Sequence, residues 1–358
     1  DQGSLLFRLV EPGEGYTVVS AAGASSEPIT VMDRTSVPDQ SLYDDQTLEP
    51  GFGYITTRDG TQLSASVYLP GPPENGPYPT VVEYSGYDPA NPTSTLETLI
   101  GETDAIDVEA LCGEGGLVRA GLPVLCGGVP AQPGSLLASV LGYAVVSVNM
   151  RGTGCSGGAY DFFEELQVLD GYDVIEAVAA QDWVQGGRVG MVGLSYPGIS
   201  QLYVARSNPP SLAAITPLSV IDDGTSRCAE NQVLRGQNQD ILERSREIDW
   251  YDEDFLYTVP QTFVDRIDVP VFLTGSWQDE QTGPHFANMI DEFTTEPLRV
   301  TMCNGTHADG FGPETLPALN DFLDLYVAEE PPELPAVVQS FGGLLFELAF
   351  GWPLEVPP

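Results

Sequence analysis

The chain has 358 residues, enough for one large core or two domains, and its 42% hydrophobic content is that of a folded globular protein. With 52 Asp and Glu against 13 basic residues, all of them arginine, its formal charge of −39 repels nucleic-acid phosphate and anionic membrane surfaces. No apolar run nears the roughly 20 residues of a membrane span, and five cysteines with two histidines make neither a disulfide scaffold nor a Cys/His metal site.

The acidic residues are dispersed, so they read as a solvated surface and not as a disordered tail. Such a surface suits high salt, where screening removes self-repulsion, and a genomic composition bias would produce it equally well. The opening DQGSLLFRLVEPGEG lacks a basic region followed by an apolar stretch and so is no signal peptide. The expectation is a mature chain, secreted or held in the cell envelope, with the cytoplasm left open.

Residues 1–50 are rich in Ser, Pro, Gly and Asp, with short extended runs at 16–19 and 29–31, and read as a β-rich arm or appendage. YITTRDGTQLSASVYLP, from Tyr54, alternates on either side of Asp59-Gly60 and predicts a β-hairpin. PTVVEYS (79–85) predicts a buried strand running into the loop GYDPANP. Residues 93–133 form a long insertion, expected to pack over something functional. Within it Cys112 and Cys126 bracket a glycine-rich stretch and are the expected disulfide.

PGSLLASVLGY predicts a helix and YAVVSVNM (143–150) a central strand, joined by RGTGCSGG to a long helix over 164–183. That glycine-rich joint reads as a tight β-to-α connection, since it lacks the G-x-x-x-x-G-K-[ST] phosphate-loop pattern. A strand near 189–192, a helix, and the strand AAITPLSV (213–220) follow. Residues 221–262 are charged, aromatic and mostly helical, and are expected to cap the strand ends. VPVFLTGS (269–276), a helix near 283–293, PLRVTMC (297–303) and a helix over 313–327 restore the alternation. This order predicts an α/β fold with a mostly parallel sheet covered by helices on both faces. Its core spans 51–220 and 263–330, and the tail 331–358 stands outside it.

RVGMVGLSYPGIS (188–200) is a short buried strand, a tight glycine-flanked turn with Ser195 at its apex, and a helix. That is the shape of a nucleophile elbow, which holds a serine hydroxyl over a helix N-terminus where a base reaches it. Pro197 occupies the last glycine's place in G-x-S-x-G, but proline in a first helical turn costs little. Alone, the hexapeptide is also compatible with an ordinary turn whose serine caps the helix. Either way the apex leaves Ser195 exposed.

A nucleophilic Ser195 requires an acid and then a histidine downstream, each after a strand. Asp279 follows the strand 269–276, and His307 follows the strand 297–303, while His285 opens a helix. Glu280 competes with Asp279 for the acid's place.

Taken together, VSVNMRGTGCSGG, DGYDVIEAVAAQDWVQGGRVGMVGLSYPG, GSWQD and GTH closely resemble the CocE/NonD and X-Pro dipeptidyl-peptidase family of serine hydrolases, over residues 54–327. The family's own elbow, G-x-S-Y-x-G, accounts for Pro197 and Gly198. The resemblance implies an α/β-hydrolase fold with Ser195 as nucleophile, Asp279 as orienting acid and His307 as base. It also implies an oxyanion site made by a tyrosine hydroxyl and the N–H of Tyr196. The tyrosine lies in YSGYDPA, where Tyr84 and Tyr87 are both available. The family's Pro-Tyr-Asp spacing selects Tyr87, with Gly86 in place of proline. Family members usually carry a C-terminal jelly-roll domain, which this chain is expected to lack, and the short 195–279 segment implies a reduced cap.

The function implied is ester hydrolysis through an acyl-enzyme, without metal or organic cofactor, on a small-molecule ester or amide; the sequence does not give the oligomeric state. X-Pro peptidase activity would need a carboxylate for the substrate's α-amino group, for which Asp222, Asp223 and Glu230 are candidates. A catalytically silent binding or assembly module, using the apolar tail 344–352, is the alternative from another class.

Overall fold

The computed structural model describes residue 7 and residues 10–90, 130–161, 163–221, 258–312 and 315–331. The expected Cys112–Cys126 disulfide, most of the insertion, residues 222–257 of the expected cap and all but the first residue of the tail lie outside the described residues. So do Asp222, Asp223 and Glu230. Cys155, which is exposed, and Cys303, which is buried, carry free thiols.

Among the described residues, eight strands form one sheet. β3 (Gly51–Thr56) and β4 (Gln62–Tyr68) are antiparallel and sit at one edge. β4 pairs antiparallel with β6 (Ala144–Asn149), and from there every pairing is parallel. The remaining strands run outward through β5 (Tyr78–Ser85), β7 (Val184–Leu194), β8 (Leu212–Leu218), β9 (Val271–Ser276) and β10 (Leu298–Cys303). β5 therefore lies between β6 and β7, and the chain leaves it first to one side and later to the other. Ligands of open α/β sheets bind at that switch point, outside the carboxyl ends of the strands. This is the α/β-hydrolase fold read from the sequence.

Strand alternation decides which residues meet which helix layer. Val82, Tyr84, Val146, Val148 and Met191 join a core that includes Ile175 of α3 (Glu165–Ala179) and Ile199 and Leu202 of α4 (Tyr196–Ala205). Val81, Val145 and Val192 join the opposite core, with Ala138 of α2 (Pro133–Val140) and Phe322 of α5 (Leu316–Tyr326). The short α1 (Ser41–Asp44) brings Tyr43 into the first core, and Leu48 follows it there. Before it, β1 (Gly13–Tyr16) and β2 (Ile29–Val31) make a small, largely exposed antiparallel sheet. None of the described helices is long and apolar enough to cross a membrane.

Two elements differ from expectation. The long helix stops at Ala179, not near Trp183. The Gln181 side chain turns back to donate to the Ala177 carbonyl, and the Trp183 indole donates to Leu48 O, so this stretch becomes the turn into β7. The helix expected near 283–293 is a 3₁₀ helix, Pro284–Glu292. The hairpin turn comprises residues 57–61, closed by Thr57 N–H to Thr61 O at 2.9 Å and by the Asp59 carboxylate, which accepts from Thr57 Oγ1 and Thr61 N–H.

Candidate active site

β7 ends at Leu194, and α4 starts at Tyr196. Between them Ser195 takes φ +67°, a left-handed conformation that costs a non-glycine residue of order 1–3 kcal/mol and marks strain held by its surroundings. The turn is tight because α4 presses on the neighbouring strand: a Cβ on Gly198 would lie 2.7 Å from the carbonyl oxygen of Leu218. The Ser195 N–H donates to that same Leu218 carbonyl at 2.8 Å, and its C=O accepts from Ile199 N–H at 2.7 Å, so both ends of the strained residue are tied. Against the expectation from the turn, Ser195 is only 5% exposed. Neighbouring groups cover it.

The loop after β5 supplies one wall. Tyr87 Oη lies 3.4 Å from Ser195 Oγ. Its ring leans on the Tyr196 ring, 5.4 Å between centroids. Tyr84, the other candidate, points into the first core, where its hydroxyl donates to Gln167 O at 3.0 Å. The alternation of β5 held this signal, since Tyr84 shares a face with Val82. Gly86 stands where the family pattern has proline, and a Cβ built there would come within 2.7 Å of Tyr196 Cε1. The Tyr196 hydroxyl in turn lies 2.8 Å from Tyr160 Oη.

Asp279 follows β9 and His307 follows β10. The structure brings them together, with His307 Nδ1 2.7 Å from Asp279 Oδ2 and both side chains buried. Asp279 Oδ1 accepts the N–H groups of Gln281 and Thr282, each at 2.8 Å, and Oδ2 accepts the Thr282 hydroxyl at 2.7 Å. Burial works against the charge on Asp279, but the hydrogen bonds from His307, Thr282 and Gln281 outweigh it and hold the carboxyl below its ordinary value. Glu280, the rival acid, reaches the backbone instead: its Oε2 accepts His307 N–H at 3.0 Å, and that bond lowers its pKa. His307 is further fixed by Ser219 Oγ, which donates to its carbonyl at 3.0 Å. His307 Nε2 is buried and makes no hydrogen bond among the described residues.

Three groups beside this crevice escaped the sequence reading. Asn149 ends β6 and bonds to the loop that carries Tyr87. Arg151, in the glycine-rich joint read as a simple connection, makes a bidentate ion pair with Asp170 at 2.6 Å and reaches Asp59 at 3.1 Å. Glu83 lies buried on β5, its Oε2 accepting from the N–H and hydroxyl of Ser135 in the first turn of α2. Their partners lie roughly 20 to 90 residues away in sequence, so no local motif announces them.

No curated protein matches the chain in sequence. A CocE/NonD family hydrolase from Staphylococcus aureus superposes with a TM-score of 0.61 at 21% identity, over 79% of this chain and 51% of that one. An aminopeptidase from a marine-sediment Thaumarchaeota archaeon gives 0.56 at 17% identity, over 83% and 57%. The Pyrococcus furiosus esterase Pf2001 gives 0.50 at 15% identity, over 78% and 94%. The chain thus spans about half the length of the Staphylococcus hydrolase it is similar to. The family described as X-Pro dipeptidyl-peptidase (S15 family) matches residues 59–245, which takes in the hairpin turn, the glycine-rich joint and the elbow. With the hydrolase strand order around it, that match over more than half of the sequence places this chain in the S15 family.

Proposed function

We propose that the chain cleaves carboxylic esters by acyl transfer at Ser195. The observation that carries this reading is the meeting of Ser195 and Tyr87 at the switch point, where a serine held at positive φ lies 3.4 Å from the Tyr87 hydroxyl. The His307–Asp279 pair, 2.7 Å apart, follows β10 and β9 of the same sheet. Ser195 Oγ attacks the carbonyl carbon while His307 Nε2 takes its proton. The imidazolium then gives that proton to the leaving oxygen as the C–O bond breaks, and water repeats the sequence on the acyl-enzyme. Asp279 holds Nδ1 protonated and turned toward it. The Tyr87 hydroxyl and the Tyr196 N–H, at the first position of α4, donate to the oxygen as charge develops. Among the described residues no hydrogen bond joins Ser195 Oγ to His307 Nε2, and in this reading the bond forms when substrate binds, since catalytic bonds are often long without ligand.

The ester is preferred to the peptide because the described residues present no built site for a free α-amino group. Hydrolysis of short p-nitrophenyl esters by the wild type and by Ser195→Ala, run beside an X-Pro p-nitroanilide, tests both parts. Removing the nucleophile costs several orders of magnitude in kcat. An alanine variant keeping more than about a hundredth of the activity contradicts the assignment, and faster turnover of the anilide contradicts the substrate class.

A further inference from the structure

The Tyr87 loop is held from beneath by one buried side chain to which the chemistry above gives no part. Asn149 is the last residue of β6 and the register partner of Ser85, the last of β5. Beyond that pair the strand ladder ends, with Met150 N–H donating to Ser85 O at 3.0 Å. The Asn149 side chain continues it. Its Nδ2 donates to Ala90 O at 2.8 Å and its Oδ1 accepts Ala90 N–H at 3.2 Å, so it grips both backbone groups of one residue as a neighbouring strand would. The same Nδ2 lies 2.9 Å from Asp88 Oδ1 and 2.8 Å from Ser64 Oγ. Two amide protons are thus shared among three acceptors. Asn149 and Ala90 are both fully buried.

Between these anchors the backbone is strained. Asp88 takes φ +58°, in the left-handed region, directly after Tyr87. At the other end Tyr87 N–H donates to Ser85 Oγ at 3.0 Å. Tyr87 therefore sits on a short arch pinned on both sides, and one pin is the Asn149 amide. An oxyanion donor works only within a narrow range of distances, and a displacement of about 1 Å costs up to 10²-fold in rate.

We propose that Asn149 is a positioning residue: through Asp88 and Ala90 it fixes the left-handed turn that sets the Tyr87 hydroxyl against Ser195. The proposal rests on the reading of Tyr87 as an oxyanion donor. It gives the joint between β6 and the glycine-rich loop a part in the reaction, although Asn149 does not touch Ser195.

The test measures kcat and KM on a short p-nitrophenyl ester, with thermal melting, for Asn149→Asp, Asp88→Ala and Asp88→Asn, each alone and combined with Tyr87→Phe. Asn149→Asp keeps the shape and loses the donor hydrogens; Asp88 is exposed, so its variants carry the test should Asn149→Asp fold poorly. Asn149→Asp and Asp88→Ala are expected to lower kcat about 10- to 100-fold with KM nearly unchanged. Asp88→Asn keeps both an accepting oxygen and tolerance of the left-handed turn, and should stay within about threefold of wild type. In the Tyr87→Phe background each loss should shrink to about twofold, since the group being positioned is gone. Losses that multiply fully with that of Tyr87→Phe, or that appear in KM alone, overturn the proposal. Should Tyr87→Phe be harmless while Ser195→Ala is inactive, Asn149 and Tyr87 both lose their parts and the nucleophile keeps its own. Activity in Ser195→Ala would instead remove the reading on which all of this stands.

Discussion

Two tyrosines three residues apart offer a dissociation of activity from stability. Tyr87→Phe removes a hydroxyl 3.4 Å from Ser195 Oγ and leaves the half-buried ring on Tyr196 in place. Loss of one oxyanion donor costs about 10²–10³ in kcat, or about 2.7–4 kcal/mol in the transition state, with little effect on KM. Its melting temperature should hold. Tyr84→Phe removes a hydroxyl that is buried far from the crevice and donates to Gln167 O at 3.0 Å. A buried hydrogen bond lost in this way costs about 1 kcal/mol of folding stability, and catalysis should stay within about threefold. Steady-state kinetics on a p-nitrophenyl ester and calorimetric melting separate the two. A crippled Tyr84→Phe beside an active Tyr87→Phe would refute the placement of the oxyanion site.

Asp279→Asn should lower kcat about 10⁴-fold, because an amide facing His307 Nδ1 imposes the wrong tautomer; Glu280→Gln, which touches only the His307 backbone, should cost less than tenfold, and the reverse order in the same ester assay would reassign the acid. Burial lifts the Glu83 carboxyl from an ordinary 4.5 to about 7, although the bonds from Ser135 pull it back part of the way. A raised carboxyl contributes stability that is complete below the unfolded value and is lost as pH climbs toward the folded one. Wild type should therefore lose roughly 3 kcal/mol relative to Glu83→Gln between pH 4.5 and 8. Denaturant unfolding of both proteins across that range checks this, and parallel curves would show that the carboxylate is ionised in the fold.

The pattern of the chain carried the architecture because burial on two faces writes period-two and period-3.6 alternation directly into β5, β6, α3 and α4. The elbow was legible for the same local reason: Gly193 and Gly198 stand where Pro197 and Leu218 O leave no space for a Cβ. Chain order alone proposed Asp279 and His307, each one loop after a strand, and the structure sets them 2.7 Å apart. Tyr84 and Tyr87 were separable too, by the spacing to Asp88 and by the alternation of β5 that sets Tyr84 beside Val82 in the first core. Least legible were the side chains that act across the sheet. Asn149 meets Asp88 across 61 residues and Arg58 meets Asp173 across 115, and no periodicity links such pairs. The exposure expected for Ser195 failed because neighbouring groups, among them the Tyr87 side chain from the loop after β5, bury the turn's apex.

The central claim is that Ser195 is the nucleophile, and covalent capture tests it without any assumption about substrate. A fluorophosphonate reacts with a serine only when a base activates it and an oxyanion site receives the phosphoryl oxygen. Intact-mass analysis should show a single adduct, and peptide mapping should place it on Ser195 within GLSYPGISQLYVAR. His307→Ala should abolish labelling under the same conditions while the protein stays folded. An adduct on another serine, or none at all on folded wild-type protein, would contradict the account.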